Sequence, residues 1–287
     1  MTAHTYQLSP LDLSAGGIAA MTALLRLVFP RSLHLVESVV EWEYKANPDG
    51  RAVGFNAWVG DDLVGHYATM PMRARLNERE ERGLLSLNTA THPEHRGSGL
   101  FTRLANATYA RAAEQGFGFV IGVANANSTH GFTKKLGFQL VSPLLVMAGV
   151  GWPRHKTGAD PQYERVWHPD ALRWRLAHPI YRYSVKCAGH LDLIYTERRQ
   201  AGGRLLLAAL DHDQLPTGLL PRFKGSAPYR IWIGSDCALD WTRRLFINVP
   251  VRFRPSPLNL IFKDLTGQGR SLDPMRVRFQ AIDFDTL

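Results

Sequence analysis

The sequence predicts an α/β fold in two parts, and three observations carry that expectation. Apolar residues recur at helical spacing in some segments and crowd into short β-rich runs in others, and the two kinds alternate along the chain. A Gly97-Ser98-Gly99 turn stands between a strand pattern and a helix pattern. The stretch 149–165, with its Gly, Pro and charge, separates two such α/β series and is the best linker candidate.

The elements follow in order. Residues 16–29 and 32–45 predict two amphipathic helices joined at Pro30, and Asn47-Pro48-Asp49-Gly50 predicts a turn. Strands are expected over Val53–Val59 and Leu63–Met70 around the turn Gly60-Asp61-Asp62, with another beginning at Met72–Leu76. A charged turn, Asn77–Arg82, leads to a strand over Leu84–Thr91. His92–Gly99 is then a loop, Leu100–Gln115 a helix ended by Gly116, and Phe117–Val123 a buried strand. A short helix, Thr129–Leu136, stops at Gly137 before a strand over Phe138–Ala148. The second half predicts a helix at Ala171–Leu176 and a helix start at Asp211–Leu220, broken by Pro221. Its strands are expected near Leu191–Thr196, Arg204–Leu210, Arg230–Gly234, Phe246–Val251 and Arg276–Ile282. Trp42-x-Tyr44-x-Ala46-Asn47-Pro48 is echoed by Trp174-x-Leu176-Ala177-His178-Pro179 at the same point of the second series, which suggests a duplicated fold.

Composition narrows the class. With 45% apolar and 21% charged residues over 287 positions, the chain can bury a core without staples. Two cysteines, Cys187 and Cys237, make neither a disulfide framework nor a zinc pattern, so a reducing, cytoplasmic compartment and buried, inert thiols are expected. The apolar run Ile18–Phe29 is short and interrupted by Arg26, so no membrane span is expected. A net charge of +9 favours anionic partners. The basic residues are scattered, in pairs such as Arg198-Arg199 and Arg243-Arg244, and form no nucleic-acid motif.

The chemistry-bearing unit is the strand, Arg96-Gly97-Ser98-Gly99, and the helix after it. Glycines let consecutive N–H groups face outward, and the helix aims its unpaired N–H groups and positive dipole end at the same point. A diphosphate fits there without a lysine, with Arg96 and Ser98 as further donors. About thirty residues on stand Asn125-x-Asn127-Ser128 and Gly131-Phe132-Thr133-Lys134-Lys135-Leu136-Gly137-Phe138.

Together these segments resemble the GNAT superfamily of N-acetyltransferases. Arg96 and Gly99 match its Arg/Gln-x-x-Gly-x-Gly/Ala motif, with Phe101 in place of the last small residue, and Lys135–Phe138 match its Lys-Leu-Gly-Phe segment. The likeness covers about 84–140 and extends loosely to 37–148 through Trp42, Asn47-Pro48 and the Gly65 strand. It implies a GNAT domain over 1–150, with a mixed, mostly antiparallel sheet and splayed central strands; a smaller C-terminal α/β domain follows over 151–287, and if the tryptophan echo marks a duplication, it is a degenerate repeat that has lost the loop. The likeness implies acetyl-CoA as donor, its pantetheine along Leu87, Asn88, Thr89, Ala90 and Thr91. The pyrophosphate would sit at Arg96, Gly97, Ser98, Gly99 and Leu100, with Phe101, Asn125, Asn127 and Phe132 completing the site. The implied reaction is acetyl transfer to an amine, with an amino sugar of a surface polysaccharide as the acceptor considered; no metal is expected.

Catalytic side chains are less defined. The position of the family's tyrosine acid aligns with Thr133, a shorter and poorer acid, and the strand-four glutamate is absent. Base candidates are His66 and Glu43, with Glu41 and His92 weaker. Tyr67 and the C-terminal-half tryptophans 152, 167, 174, 232 and 241 read first as packing residues, and Ile282-Asp283-Phe284-Asp285 as a strand with outward acids. Two other readings remain open: a GNAT-fold module that binds acyl-CoA without catalysis, and an aminoacyl-tRNA-dependent peptidoglycan-type transferase.

Overall fold

The computed structural model describes residues 5–200, 203–224, 229–242 and 245–284, the stretch 198–200 as backbone only. The Arg243-Arg244 pair, Asp285 and the side chains of Arg198 and Arg199 therefore lie outside the described residues.

The chain opens with β1 (Gln7–Pro10), α1 (Ala15–Val28) and α2 (Glu37–Lys45). Ser14 caps α1 by accepting the Gly17 N–H, and Ile18, Met21, Leu24 and Leu25 form its buried face. The second helix starts five residues later than expected, because 32–36 form the loop between the helices. A meander follows: β2 (Val53–Val59), β3 (Asp62–Leu76) and β4 (Arg79–Thr91). Two strands were expected where the single β3 runs, and Pro71 lies within it, its carbonyl accepting from the Asn47 side chain at 2.7 Å. The charged turn contracts to Asn77 and Glu78, both with positive φ, which gives the tight hairpin linking long twisted strands. Next come α3 (Leu100–Glu114), β5 (Phe119–Ala124), α4 (Ala126–His130), which continues as a π-helical turn over Gly131–Lys135, and β6 (Gln139–Pro143).

The remaining strands are β7 (Leu145–Val150), β8 (Arg154–His155), β9 (Tyr163–Arg165), β10 (Tyr183–Ala188), β11 (Leu191–Gln200), β12 (Gly203–Asp211), β13 (Arg230–Asp236), β14 (Leu239–Asp240), β15 (Leu245–Asn248), β16 (Asn259–Asp264) and β17 (Val277–Gln280), with α5 (Pro169–Leu176) between β9 and β10. The helix expected to start at Asp211 is absent; Gln214 and Leu219 close single turns instead. No helix among the described residues is long and apolar enough to cross a membrane.

One strand arrangement occurs twice. In the first half β4 runs parallel to β5, β16 lies antiparallel on the far side of β5, and β6 flanks β16. In the second half β12 runs parallel to β13, β7 lies antiparallel on its far side, and β15 flanks β7. The expected strand Phe138–Ala148 is therefore two strands that part at Leu144, one serving each half. The chain returns the exchange when β16 crosses back between β5 and β6. The stretch 149–165 is correspondingly no plain linker, since β9 pairs with β3 and β17. The sheet passes across residue 150 without a break.

The cores follow this interleaving. Leu85, Ile121, Tyr163, Leu205, Phe262 and Phe279, drawn from both halves, bury into one cluster. Trp42 and Trp174, the echoed tryptophans, stack at 4.4 Å where α2 meets α5, and Trp174 Nε1 donates to the Trp42 carbonyl. Trp232, Trp241 and Phe246 pack together in the second half.

Candidate functional site

The parallel ladder of β4 and β5 stops at Ser86 opposite Gly122, while β4 stays paired to β3 up to Thr91. From Leu87 onward the β5-facing edge of β4 therefore has no strand partner, and the strands splay. A register shift opposite Tyr67–Thr69 places an extra residue of β4 there, a bulge that re-aims Leu87 and Asn88. The splay opens a cleft of about 830 Å³.

One wall of the cleft is Leu85–Thr89, and the facing wall is Val123, Asn125, Asn127, Ser128 and Phe132. Arg96 and Phe101 stand at its α3 end with His130 and Lys135. At α3, Gly97 and Gly99 adopt φ of +80° and +77°, the left-handed region that favours glycine. A Cβ on either would meet nothing within 4 Å, so the loop faces open space. Ser98 Oγ donates to the His95 carbonyl at 2.6 Å, which pins the loop. The first intrahelical bond of α3 runs from Arg103 N–H to Gly99 O. It leaves the N–H groups of Leu100, Phe101 and Thr102 for an outside acceptor, with no acidic residue in the first turn. A phosphate cradle fits these observations.

The expected donor-site residues divide accordingly. Leu87, Asn88, Thr89, Arg96, Phe101, Asn125, Asn127 and Phe132 line the cleft, and Gly97, Ser98 and Gly99 form its exposed lip. Ala90 and Leu100 are buried, Ala90 against α1 and α2 and Leu100 beneath α3. Thr91 pairs with Gly65. Asn125 Oδ1 accepts from the N–H groups of Asn127 and Ser128, so this side chain shapes the start of α4.

The three catalytic candidates part company. Glu43 is buried and lies outside the cleft lining, in a small adjoining pocket that shares Leu85, Leu87 and Phe284 with the cleft, and Asn88 Nδ2 donates to its Oε2 at 3.2 Å. The same Asn88 donates to the Tyr44 hydroxyl at 3.0 Å, Tyr44 meets His66 Nε2 at 2.8 Å, and His66 Nδ1 meets Asn56 Oδ1 at 2.8 Å. Asn56 Oδ1 can only accept, so the proton sits on Nδ1 and Tyr44 donates to Nε2. His66 has no exposed surface, and burial drives its pKa down to about 3. It is thus a neutral, doubly bonded ring inside the sheet that does not reach the cleft. Thr133 is also outside the cleft lining, and its hydroxyl donates to the Thr129 carbonyl at 2.9 Å. Glu41 pairs with Lys45 at the surface, His92 Nδ1 accepts the Glu94 N–H, and Tyr67 bonds Tyr109 and Ser86 within the core.

Sequence reasoning missed the rest of the cleft. Phe29, Ser32, His34 and Leu35, from the α1–α2 loop, close one side, and Phe284 closes another. Phe284 is held from behind by Phe279, stacked at 5.2 Å, and by Arg175, whose Nη2 donates to its carbonyl. Neighbouring Asp283 departs from the outward acid expected: it is buried, bonded to Trp167 Nε1 and the Gln280 N–H, and burial raises its pKa to about 6. The thiols also depart from expectation, Cys187 being exposed and Cys237 half-buried.

The second half repeats the splay and fills it. β12 and β13 pair only over Arg204–Leu206 and Arg230–Trp232, and β17 occupies the far end of β13. The Gln280 side-chain amide then bonds both the N–H and the C=O of Ala209, at 2.8 and 3.2 Å. Ala209 stands as far beyond the first parallel pair, Arg204 with Arg230, as Asn88 stands beyond Gly83 with Phe119.

The profile of the acetyltransferase (GNAT) domain matches residues 12–141. No curated protein matches the sequence. Among solved structures, the chain is similar to a GCN5-related N-acetyltransferase from Anabaena variabilis, at 13% identity over 90% of this chain and 73% of that one, with a TM-score of 0.60. It is likewise similar to a conserved protein of unknown function from Enterococcus faecalis, described as a probable N-acyltransferase, at 12% identity, 91% and 73% coverage and a TM-score of 0.61. A GCN5-related N-acetyltransferase from Kribbella flavida follows at 12%, 90%, 71% and 0.57. At such identities the likeness is one of fold.

Proposed function

Residues 12–141 make up a GNAT acetyltransferase domain in a chain of GNAT fold, and on that premise we propose that the chain moves an acetyl group from acetyl-CoA to an amine by direct attack on the thioester. The carrying observation is the exposed Gly97–Gly99 lip at the start of α3, leading into the unpaired edge of β4. Loop and first-turn N–H groups, with Arg96, hold the pyrophosphate. The free edge from Leu87 takes the pantetheine arm as an added strand. A β4 N–H beside the bulge donates to the carbonyl oxygen as that oxygen gains charge.

Glu43 is the base in this reading. It takes the proton of the attacking amine, directly or through a water, as the nitrogen bonds the carbonyl carbon and the C–S bond breaks. The displaced thiolate takes a proton from solvent or from a group at the mouth of the cleft. Asn88 holds Glu43, and the Tyr44–His66–Asn56 chain holds Asn88. His66 is accordingly a positioning residue.

The walls open to an acceptor are mixed: Phe29, Leu35 and Phe284 present apolar surface, with the polar Ser32, His34 and Asn88 among them. An amine on an apolar or aromatic skeleton that carries a polar substituent fits that surface. Thiol release from acetyl-CoA, followed over aryl-alkyl amines, polyamines and amino sugars, tests the reading. Turnover with the apolar amines supports it. CoA binding without turnover on any amine favours the non-catalytic module, for which the hydroxyl of Thr133, turned to Thr129, is the specific observation.

A further inference from the structure

We propose that Cys187, Asp192 and His212 form a binding site for one divalent, thiolate-seeking metal ion of the zinc type. Strand register brings together Cys187 and Asp192, five residues apart across a hairpin, and His212 from the end of the next strand. Cys187, near the end of β10, is the cross-strand partner of Asp192 on β11. Asp192 in turn pairs with Leu210, so the end of β12 delivers His212 beside it. One sulfur, one oxygen and one nitrogen of these side chains lie within 4.8 Å of one another.

The geometry resembles a ligand set more than a chance surface cluster. Cys187 Sγ lies 3.3 Å and His212 Nδ1 2.9 Å from the same Asp192 oxygen. His212 Nε2 lies 2.9 Å from the Gly189 carbonyl, which can only accept, so Nε2 carries a hydrogen. Nδ1 faces the Asp192 carboxylate oxygen across a gap that a proton bridges in the metal-free protein and that a metal ion would take over. A ring held by a backbone carbonyl on one nitrogen is how proteins orient a metal-ligating histidine on the other. Asp192 is buried at 7% exposure, whereas Cys187 and His212 are exposed, so an ion reaches the site from solvent and keeps a coordination position open to water. The S, N, O donor set suits zinc and excludes magnesium and calcium, which take oxygen alone. None of the three residues lines the acyl cleft.

Metal-free protein titrated with Co²⁺ tests this. One equivalent should bind with a thiolate-to-cobalt charge-transfer band, and Zn²⁺ should displace it. Cys187→Ser should lose the band, His212→Ala should weaken binding at least about tenfold, and Cys237→Ser should retain both. Zn²⁺ should also raise the thermal midpoint of the unaltered protein by mass action, which reads the site even if a variant folds poorly. Absence of a thiolate band, affinity in Cys187→Ser and His212→Ala equal to that of the unaltered protein, or a midpoint indifferent to Zn²⁺ would each mean that the cluster holds protons only, and would overturn the proposal.

Discussion

At the scale of single residues, the proposed acyl-transfer site turns on two glycines and one carboxylate. Gly97 and Gly99 hold left-handed backbone in open space, so a larger side chain there is disfavoured by φ and projects into the anion's place. Gly97→Val and Gly99→Val are each expected to weaken CoA binding at least about tenfold by calorimetry, the strain itself costing about 1–2 kcal/mol, with a cooperative melt retained. Unchanged affinity in both would move the pyrophosphate elsewhere. Glu43→Gln should lower kcat by about 10²–10⁴ with little change in KM, the size expected for losing a general base. A kcat within twofold of the parent would remove Glu43 from that role. The glycines were legible because Asn125–Ser128 and Gly131–Phe138 follow them at the family's spacing; a Gly-x-Gly alone reads as an ordinary strand-to-helix turn. Glu43 was legible only as one of several carboxylates, since a helix pattern does not say which acid its neighbours cover.

Between elements, α2, β2, β3 and β4 are joined by the hydrogen-bonded chain Glu43, Asn88, Tyr44, His66 and Asn56, buried except at Asn88. His66 makes that junction sensitive to acid. Its folded pKa, about 3, lies below its ordinary value of 6.5. The fold therefore favours the neutral ring, and stability present above pH 6.5 is lost as pH falls from there toward 3. His178, also lowered to about 3, adds in the same direction. Asp283 opposes them: with its pKa raised from 3.8 to about 6, it favours the fold more as pH falls through that range. His66→Gln should flatten the stability–pH curve between 6.5 and 4 by up to about 1.4 kcal/mol per pH unit, one proton's worth. Urea melts at a series of pH values measure it, and an unchanged slope would mean that the ring is protonated in the native state. Most elements around this junction were predictable from periodicity. The α1–α2 loop was read as helix because Leu35 keeps i, i+4 spacing with Val39 although no helix forms there.

For the molecule as a whole, the two halves exchange strands and only one keeps an open splay. The first half lacks a strand between β5 and β6 until β16 arrives from residues 259–264, and Asn259 and Lys263 of that strand bond Thr129 and the Leu136 carbonyl behind the cleft wall. A fragment ending at residue 150 should therefore be unfolded or aggregated by circular dichroism and light scattering, and co-expression with 151–287 should restore it. A monomeric fragment with a cooperative melt would show the exchange to be dispensable. In the second half Gln280 occupies the main-chain partners that Ala209 would offer a pantetheine arm. Calorimetry should find one CoA per chain. Gln280→Ala should destabilise the protein by about 1–3 kcal/mol, because it strands a buried N–H and C=O.

By itself the sequence determined the α/β class, most helices and strands of the first half, and the loop from Arg96 to Gly99. These depend on local periodicity and on backbone conformations that few residues tolerate. It carried the echo of Trp42 in Trp174 but not their stacking, and it carried Phe138–Ala148 as one strand although the chain divides it at Leu144. Strand exchange, the Phe284 wall, the burial of His66 and Asp283, and the meeting of Cys187 with His212 were decided by tertiary structure alone. Each depends on which distant strands pair and in what register, and that is set by the free energy of the whole packed core, which no local window of sequence contains.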